Sequence, residues 1–225
     1  MWIYALIPVG ASLLGGLFVV FSQPSKQITS AAQHLAAGVI FAAAASELLP
    51  DAIRRGTIWP VAAGAVVGLA AMLMLRVAEQ RASGPAGLIG AAAVDALIDG
   101  IVLGLGFAAG QTQGILLAIA LSLEFLSLAV GIAAAFQAGV PKHLVLATTV
   151  VVSCMVPVGT LLAHPISRSP DALETAAFSF GLVALLYLAV EELMVEAHEV
   201  EDRLWTTAMF FVGFIGLVIL NEALG

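Results

Sequence analysis

The chain has 225 residues, 61% of them hydrophobic and 10% charged, with a mean hydropathy of +1.09. A soluble domain is about half apolar and about a quarter charged, so this composition excludes an ordinary soluble protein and points to one embedded in membrane lipid. The net charge is −7 and the eight Lys and Arg form no basic patch, which argues against a nucleic-acid partner; the lone Cys154 rules out an intrachain disulfide.

A bilayer core takes about 20 mainly apolar residues per helix. Eight such runs follow in order, at 2–22, 32–50, 58–78, 86–109, 113–137, 142–163, 173–196 and 205–222. The short connections between them hold the turn formers and most of the charges, so residues 1–225 read as one all-α polytopic membrane domain. No positive residue precedes the first run, and its apolar stretch is too long for a cleavable leader. It reads as the first span. Lys26 follows it directly, which favours an outside N-terminus. Eight spans then put both termini outside, with Lys26, Arg76, Arg81, Lys142 and Arg203 on inner loops and Arg54, Arg55 and Arg168 on outer ones. The expected location is the plasma (inner) membrane. Span 2 ends in "ELLPDA" (47–52) and span 7 contains "ELMVEA" (192–197), 145 positions later and in a span of opposite direction. That is the pattern of an inverted 3+2+3 repeat, an arrangement common in secondary transporters.

Span 4 reads "VDALIDGIVLGLGF" over 94–107. Asp95 and Asp99 are four apart and share one helix face. A charged Asp at the centre of a spanning helix costs about 2.5–3.5 kcal/mol on insertion scales, and two on one face repel each other. A bound cation would relieve both penalties; protons, or hydrogen bonds to neighbouring helices, are the other way out. Span 5 offers Glu124 at similar depth, with Ser122 and Ser127 as hydroxyl neighbours; span 2 carries Glu47 and span 7 carries Glu191 and Glu192. Adjacent helical residues point about 100° apart, so Glu191 and Glu192 cannot face one site equally. Gly100 and Gly104 form a small-xxx-small face that admits a close neighbour. His198 stands among Glu196, Glu199, Glu201 and Asp202, which reads either as a weak exit site for a divalent ion or as a solvated acidic loop. His34, His143 and His164 open or close spans and read as interfacial.

Together these stretches resemble the ZIP (Zrt/Irt-like) family of metal transporters over nearly the whole chain, as a divergent member: "ELLPDA", "DALIDG", "LAVG" and "YLAVEELMVEA" carry the likeness. The family's span 4 motif has the form His-Asn-x-x-Glu/Asp-Gly. Asp95 stands at the His position, Ala96 at the Asn, and Asp99-Gly100 match the acid and glycine. The span 5 motif ends in Leu-Ala-Val-Gly; anchoring on 128–131 puts Ser122, Leu123 and Leu126 at the ligand positions, whereas a one-residue shift puts Glu124 and Ser127 there. Span 6 reads "CMVPVG", with Val156 where family members often carry Glu, and the long His-rich loop between spans 3 and 4 is reduced to "EQRASGPAG".

The resemblance implies an eight-helix bundle, paired as a homodimer, with a metal path through spans 2, 4, 5 and 7 and the lipid bilayer as its surroundings. The expected activity is transport of a divalent metal cation towards the cytoplasm through a mid-membrane carboxylate site. The metal residues are Asp95, Asp99, Glu124, Glu47, Glu191, Glu192, Ser122 and His198. The ion is substrate rather than resident cofactor: oxygen ligands suit manganese or iron, and zinc also binds carboxylates. The alternative is a ZIP-like membrane protein that has lost transport and acts as a structural or regulatory partner. No enzyme is expected. Phosphate loops, nucleophile elbows and dinucleotide fingerprints are absent, and two aspartates on one helix are poorly placed for an aspartic-protease dyad.

Overall fold

The computed structural model describes residues 3–22, 24–54, 57–81, 85–135, 142–167, 169–201 and 203–224. Within them every regular element is helical. Eight rods follow in chain order: α1 Leu6–Ser22, α2 Lys26–Arg54, α3 Ile58–Arg81, α4 Pro85–Ala109, α5 Gln111–Ala135, α6 Lys142–Ile166, α7 Asp171–Ala197 and α8 Leu204–Leu224. Seven are long and apolar enough to cross a membrane; α1, with 17 residues, is the short one. The chain is an all-α polytopic membrane protein.

Local chemistry explains the interruptions. Ser25 caps α2, its hydroxyl accepting from the Ile28 N–H at 3.4 Å. Inside α2 the residues Ala44–Leu48 form a π-helical turn, in which the Leu49 N–H reaches back five residues to the Ala44 carbonyl. Pro50 sits just beyond; it has no N–H to offer the Ser46 carbonyl, so the ladder must rearrange there. In α6 the ladder breaks at Cys154, three residues before Pro157, for the same reason. A second π turn, Leu188–Leu193, lies in α7 with no proline behind it. Such turns add a residue to one helical loop and recur at functional sites. These two carry Glu47 on α2 and Glu191 and Glu192 on α7.

The helices pack as two groups of four. Helices α1, α4, α5 and α6 contact one another through α4·α6, α1·α5 and α4·α5; α2, α3, α7 and α8 do so through α2·α8, α3·α7 and α2·α7. Each strong pairing has a counterpart in the other half of the chain, as an inverted repeat requires. The match extends to single atoms. A Cβ on Gly68 of α3 would lie 2.8 Å from the Phe180 carbonyl oxygen of α7, and a Cβ on Gly213 of α8 would run into the Leu35 carbonyl of α2. Gly68 and Gly213 are 145 positions apart, as are Leu35 and Phe180, Lys26 and Asp171 at the starts of α2 and α7, and Glu47 and Glu192.

Helices α2 and α7 run antiparallel. Near the start of α2, Ser30 Oγ donates to the Ala197 carbonyl at the end of α7 at 2.8 Å, and Gln33 Nε2 donates to Glu196 at 2.7 Å. At the other end of the bundle, residues 49–54 pack on the first half of α7. Ala52 and Ala197 therefore lie at opposite ends. The close approach of α8 to α2 gives a stability prediction. Gly213→Val should lower the melting temperature of the detergent-solubilised protein, because overpacking costs about 1–3 kcal/mol. An unchanged melting temperature would contradict the backbone contact.

Candidate cation site

Asp95 and Asp99 lie near the middle of α4, and Glu124 near the middle of α5. The two helices are joined by Gly110 alone, so they must run back antiparallel. That hairpin carries Glu124 to the level of the aspartates. One carboxylate oxygen from each of Asp95, Asp99 and Glu124 lies within 4.8 Å of the others, and all three residues are buried, at 8%, 3% and 3% exposure. Behind the aspartates α4 is pressed onto α6: a Cβ on Gly100 would run into the Val156 carbonyl, and Thr160 Oγ1 donates to the Gly100 carbonyl at 3.1 Å. The small-xxx-small face therefore serves helix packing, and it holds the acid-bearing face in a fixed rotation.

The site is short of donors. Asp99 Oδ2, Glu124 Oε2 and Ser127 Oγ are buried with no hydrogen-bond partner among the described residues. An unmet buried polar group costs about 1–3 kcal/mol, and most buried polar atoms do find partners. The charges add to this. Two carboxylates whose nearest oxygens lie within 4.8 Å of each other repel by about 3 kcal/mol or more even at an effective dielectric of about 20. Three full negative charges cannot be held together here without a counter-charge. A cation or protons must supply it. Asp99 and Glu124 are within hydrogen-bonding reach of each other, which they satisfy when one of them carries a proton. Oxygen atoms at this spacing also suit a small divalent cation, whose ligands lie about 2.0–2.6 Å from the metal.

A narrow cavity of about 60 Å³ leads away from the triad. It is lined by Asp95, Glu124, Ser127 and Leu128 on one side and by Leu188, Glu192, Leu193 and Glu196 of α7 on the other. Glu196 also borders a wider cleft of about 420 Å³, together with Gln33, Thr29, Lys26 and Glu199. The two spaces make an acidic route from the triad to the end of the bundle where α2 begins and α7 finishes. Glu79, near the end of α3, is a further acid at that same end of the bundle. On the other side of the triad Leu103, Leu105, Leu117, Leu121 and Phe178 are fully buried between the helices.

Four of the residues expected as metal ligands stand elsewhere. Ser122 spends its hydroxyl on the Ala118 carbonyl at 2.6 Å, one turn back along α5, and does not line the cavity. Glu124 and Ser127 do line it. Glu191 points out of the bundle and is gripped by Arg76 Nη1 at 2.8 Å, with both side chains more than 40% exposed. The roughly 100° offset from Glu192 is what separates them. Glu47 is buried against α8, where Asn221 Nδ2 donates to it at 2.9 Å. His198 borders neither space and lines a separate shallow groove with Val190, Met194 and Val195; its Nδ1 bonds the Met194 carbonyl and its ring sits 5.1 Å from that of His34. Its neighbour Asp202 lies outside the described residues. Sequence reasoning passed over Glu79, which reads as part of a polar connection, and gave no role to Asn221, a lone amide in the last apolar run.

No protein-family model and no curated protein matches the chain, so the functional reading rests on the chemistry of this site.

Proposed function

We propose that the protein carries a divalent metal cation across the membrane, with Asp95, Asp99 and Glu124 as the mid-membrane binding site and Glu192, Glu196 and Glu79 as its route to one end. The observation that supports this reading most is the triad: three buried carboxylates from two helices, short of donors, at the head of an acidic cleft. The likeness of "DALIDG" and "LAVEELMVEA" to ZIP transporters supports the same reading. In this reading the open end is cytoplasmic, since Lys26, Arg81, Lys142 and Arg203 lie at that end. The all-oxygen donor set favours manganese or iron over a softer ion, and zinc remains compatible with carboxylates.

Two outcomes are expected. Purified protein in liposomes should take up Mn²⁺, Fe²⁺ or Zn²⁺ faster than empty liposomes; absence of flux for every ion from a folded preparation would favour the non-transporting alternative. Metal binding to the detergent-solubilised protein should release protons, because ligands must shed them to coordinate. A weakly buffered solution should therefore acidify on addition of the metal. Metal binding with no proton release would mean that the triad is not where the ion binds, or that it was already ionised.

A further inference from the structure

The two halves of the repeat treat equivalent acids differently. Glu47 and Glu192 occupy equivalent positions on the π turns of α2 and α7. Asn221 and Arg76, again 145 positions apart, occupy equivalent positions on the helices packed behind them, α8 and α3. Arg76 engages Glu191 at 2.8 Å, one residue before Glu192, and Glu192 lines the open cavity beside Asp95 and Glu124. Asn221 instead takes Glu47 itself at 2.9 Å, and the Ser46 hydroxyl bonds the same oxygen. Glu47 is 3% exposed, with the fully buried Ala43, Ala44 and Leu48 around it on α2.

We propose that Glu47 is the cation-contacting carboxylate of the second mouth, and that Asn221 is the positioning residue that withholds it while that mouth is closed. The proposal rests on the transport reading and deepens it. When the triad faces the other end of the bundle, the symmetry of the repeat sets Glu47 against it as Glu192 is set now, and Asn221 must let go. The amide suits this task. It donates one hydrogen bond to the carboxylate without neutralising it, so the acid keeps its charge for an arriving cation. A guanidinium at the same position would bind the acid more tightly, in two-pronged fashion, and compete with the ion. Arg76 does grip a carboxylate, and that carboxylate is off the route.

The test is thiol accessibility in the full chain reconstituted in liposomes, with Cys154→Ser and Ser179→Cys leaving one thiol. Ser179 is buried in the first half of α7, at the closed end. A charged, membrane-impermeant methanethiosulfonate should label Cys-bearing position 179 slowly in this background. With Asn221→Ala, labelling should accelerate by about tenfold or more, the scale of one lost hydrogen bond to a charged group. Asn221→Leu keeps the volume nearly constant and removes the donor; it should accelerate labelling as well, and it decides the matter if the alanine variant fails to fold. Arg76→Ala should leave the rate unchanged. Background labelling with Asn221→Leu, or acceleration by Ala alone, would show that Asn221 is packing and overturn the proposal. Labelling needs no metal, so absent metal flux in the unsubstituted protein would sink the transport reading without touching this result.

Discussion

Asp99→Asn is expected to abolish divalent-cation binding and flux while leaving the protein folded. Asn has nearly the shape of Asp, so the packing of α4 on α6 through Gly100 is preserved. What goes is one charge of a crowded triad whose oxygens lie within 4.8 Å of one another. Loss of a residue that merely supports a metal ligand costs about 10–100-fold in affinity, so loss of a ligand should cost at least about 100-fold. Relief of the repulsion should hold the melting temperature steady or raise it, since crowded buried charges are seldom stabilising. The two readouts must be taken together. Lost flux with an unchanged or higher melting temperature fits the account; flux like that of the unsubstituted protein would refute a role for Asp99.

Glu124→Gln should come close to it in effect. Glu124 is the one acid that α5 brings to the site, and without it the ion is left with two carboxylates from a single helix. Binding should weaken by about 100-fold or more. The contrast with two nearby changes gives the prediction its force. Ser122→Ala removes a hydroxyl already spent on the Ala118 carbonyl, and Glu191→Gln alters a side chain already paired with Arg76 outside the bundle. Both should keep flux within about twofold of the starting protein, as exposed ion pairs contribute little. If Glu191→Gln disabled transport and Glu124→Gln did not, the route would have to be redrawn along the outside of α7.

Much of the architecture was legible because the membrane enforces simple rules. An apolar run of about 20 residues can only be a helix in lipid, so the rods are readable one by one. The repeat showed itself through "ELLPDA" and "ELMVEA", whose common spacing then recurs in Gly68 and Gly213. Asp95 and Asp99 were readable as a site because two acids on one face of an apolar helix have no cheap structural use. The residues expected as ligands that stand away from the triad have a shared cause. Spacing along one helix says which residues share a face, but not which face a neighbouring helix covers. Glu47 and Glu191 have the depth and the chemistry of ligands, and only the positions of Asn221 and Arg76 on other helices reveal that both are already engaged. The π turns carry no clear mark in the sequence either, apart from Pro50. They shift the phase of α2 and α7 just where Glu47 and Glu192 stand, and rotation by one residue decides whether an acid faces the route or the lipid.

The most direct measurement is the position of the ion itself. Crystals of the protein soaked in Mn²⁺ would reveal the metal by its anomalous scattering. The account predicts a peak within about 2.0–2.6 Å of carboxylate oxygens from Asp95, Asp99 and Glu124, lost in the Asp99→Asn variant. A peak only at the outer acidic residues of α7, or no peak with the three carboxyls still clustered around a shared proton, would contradict it.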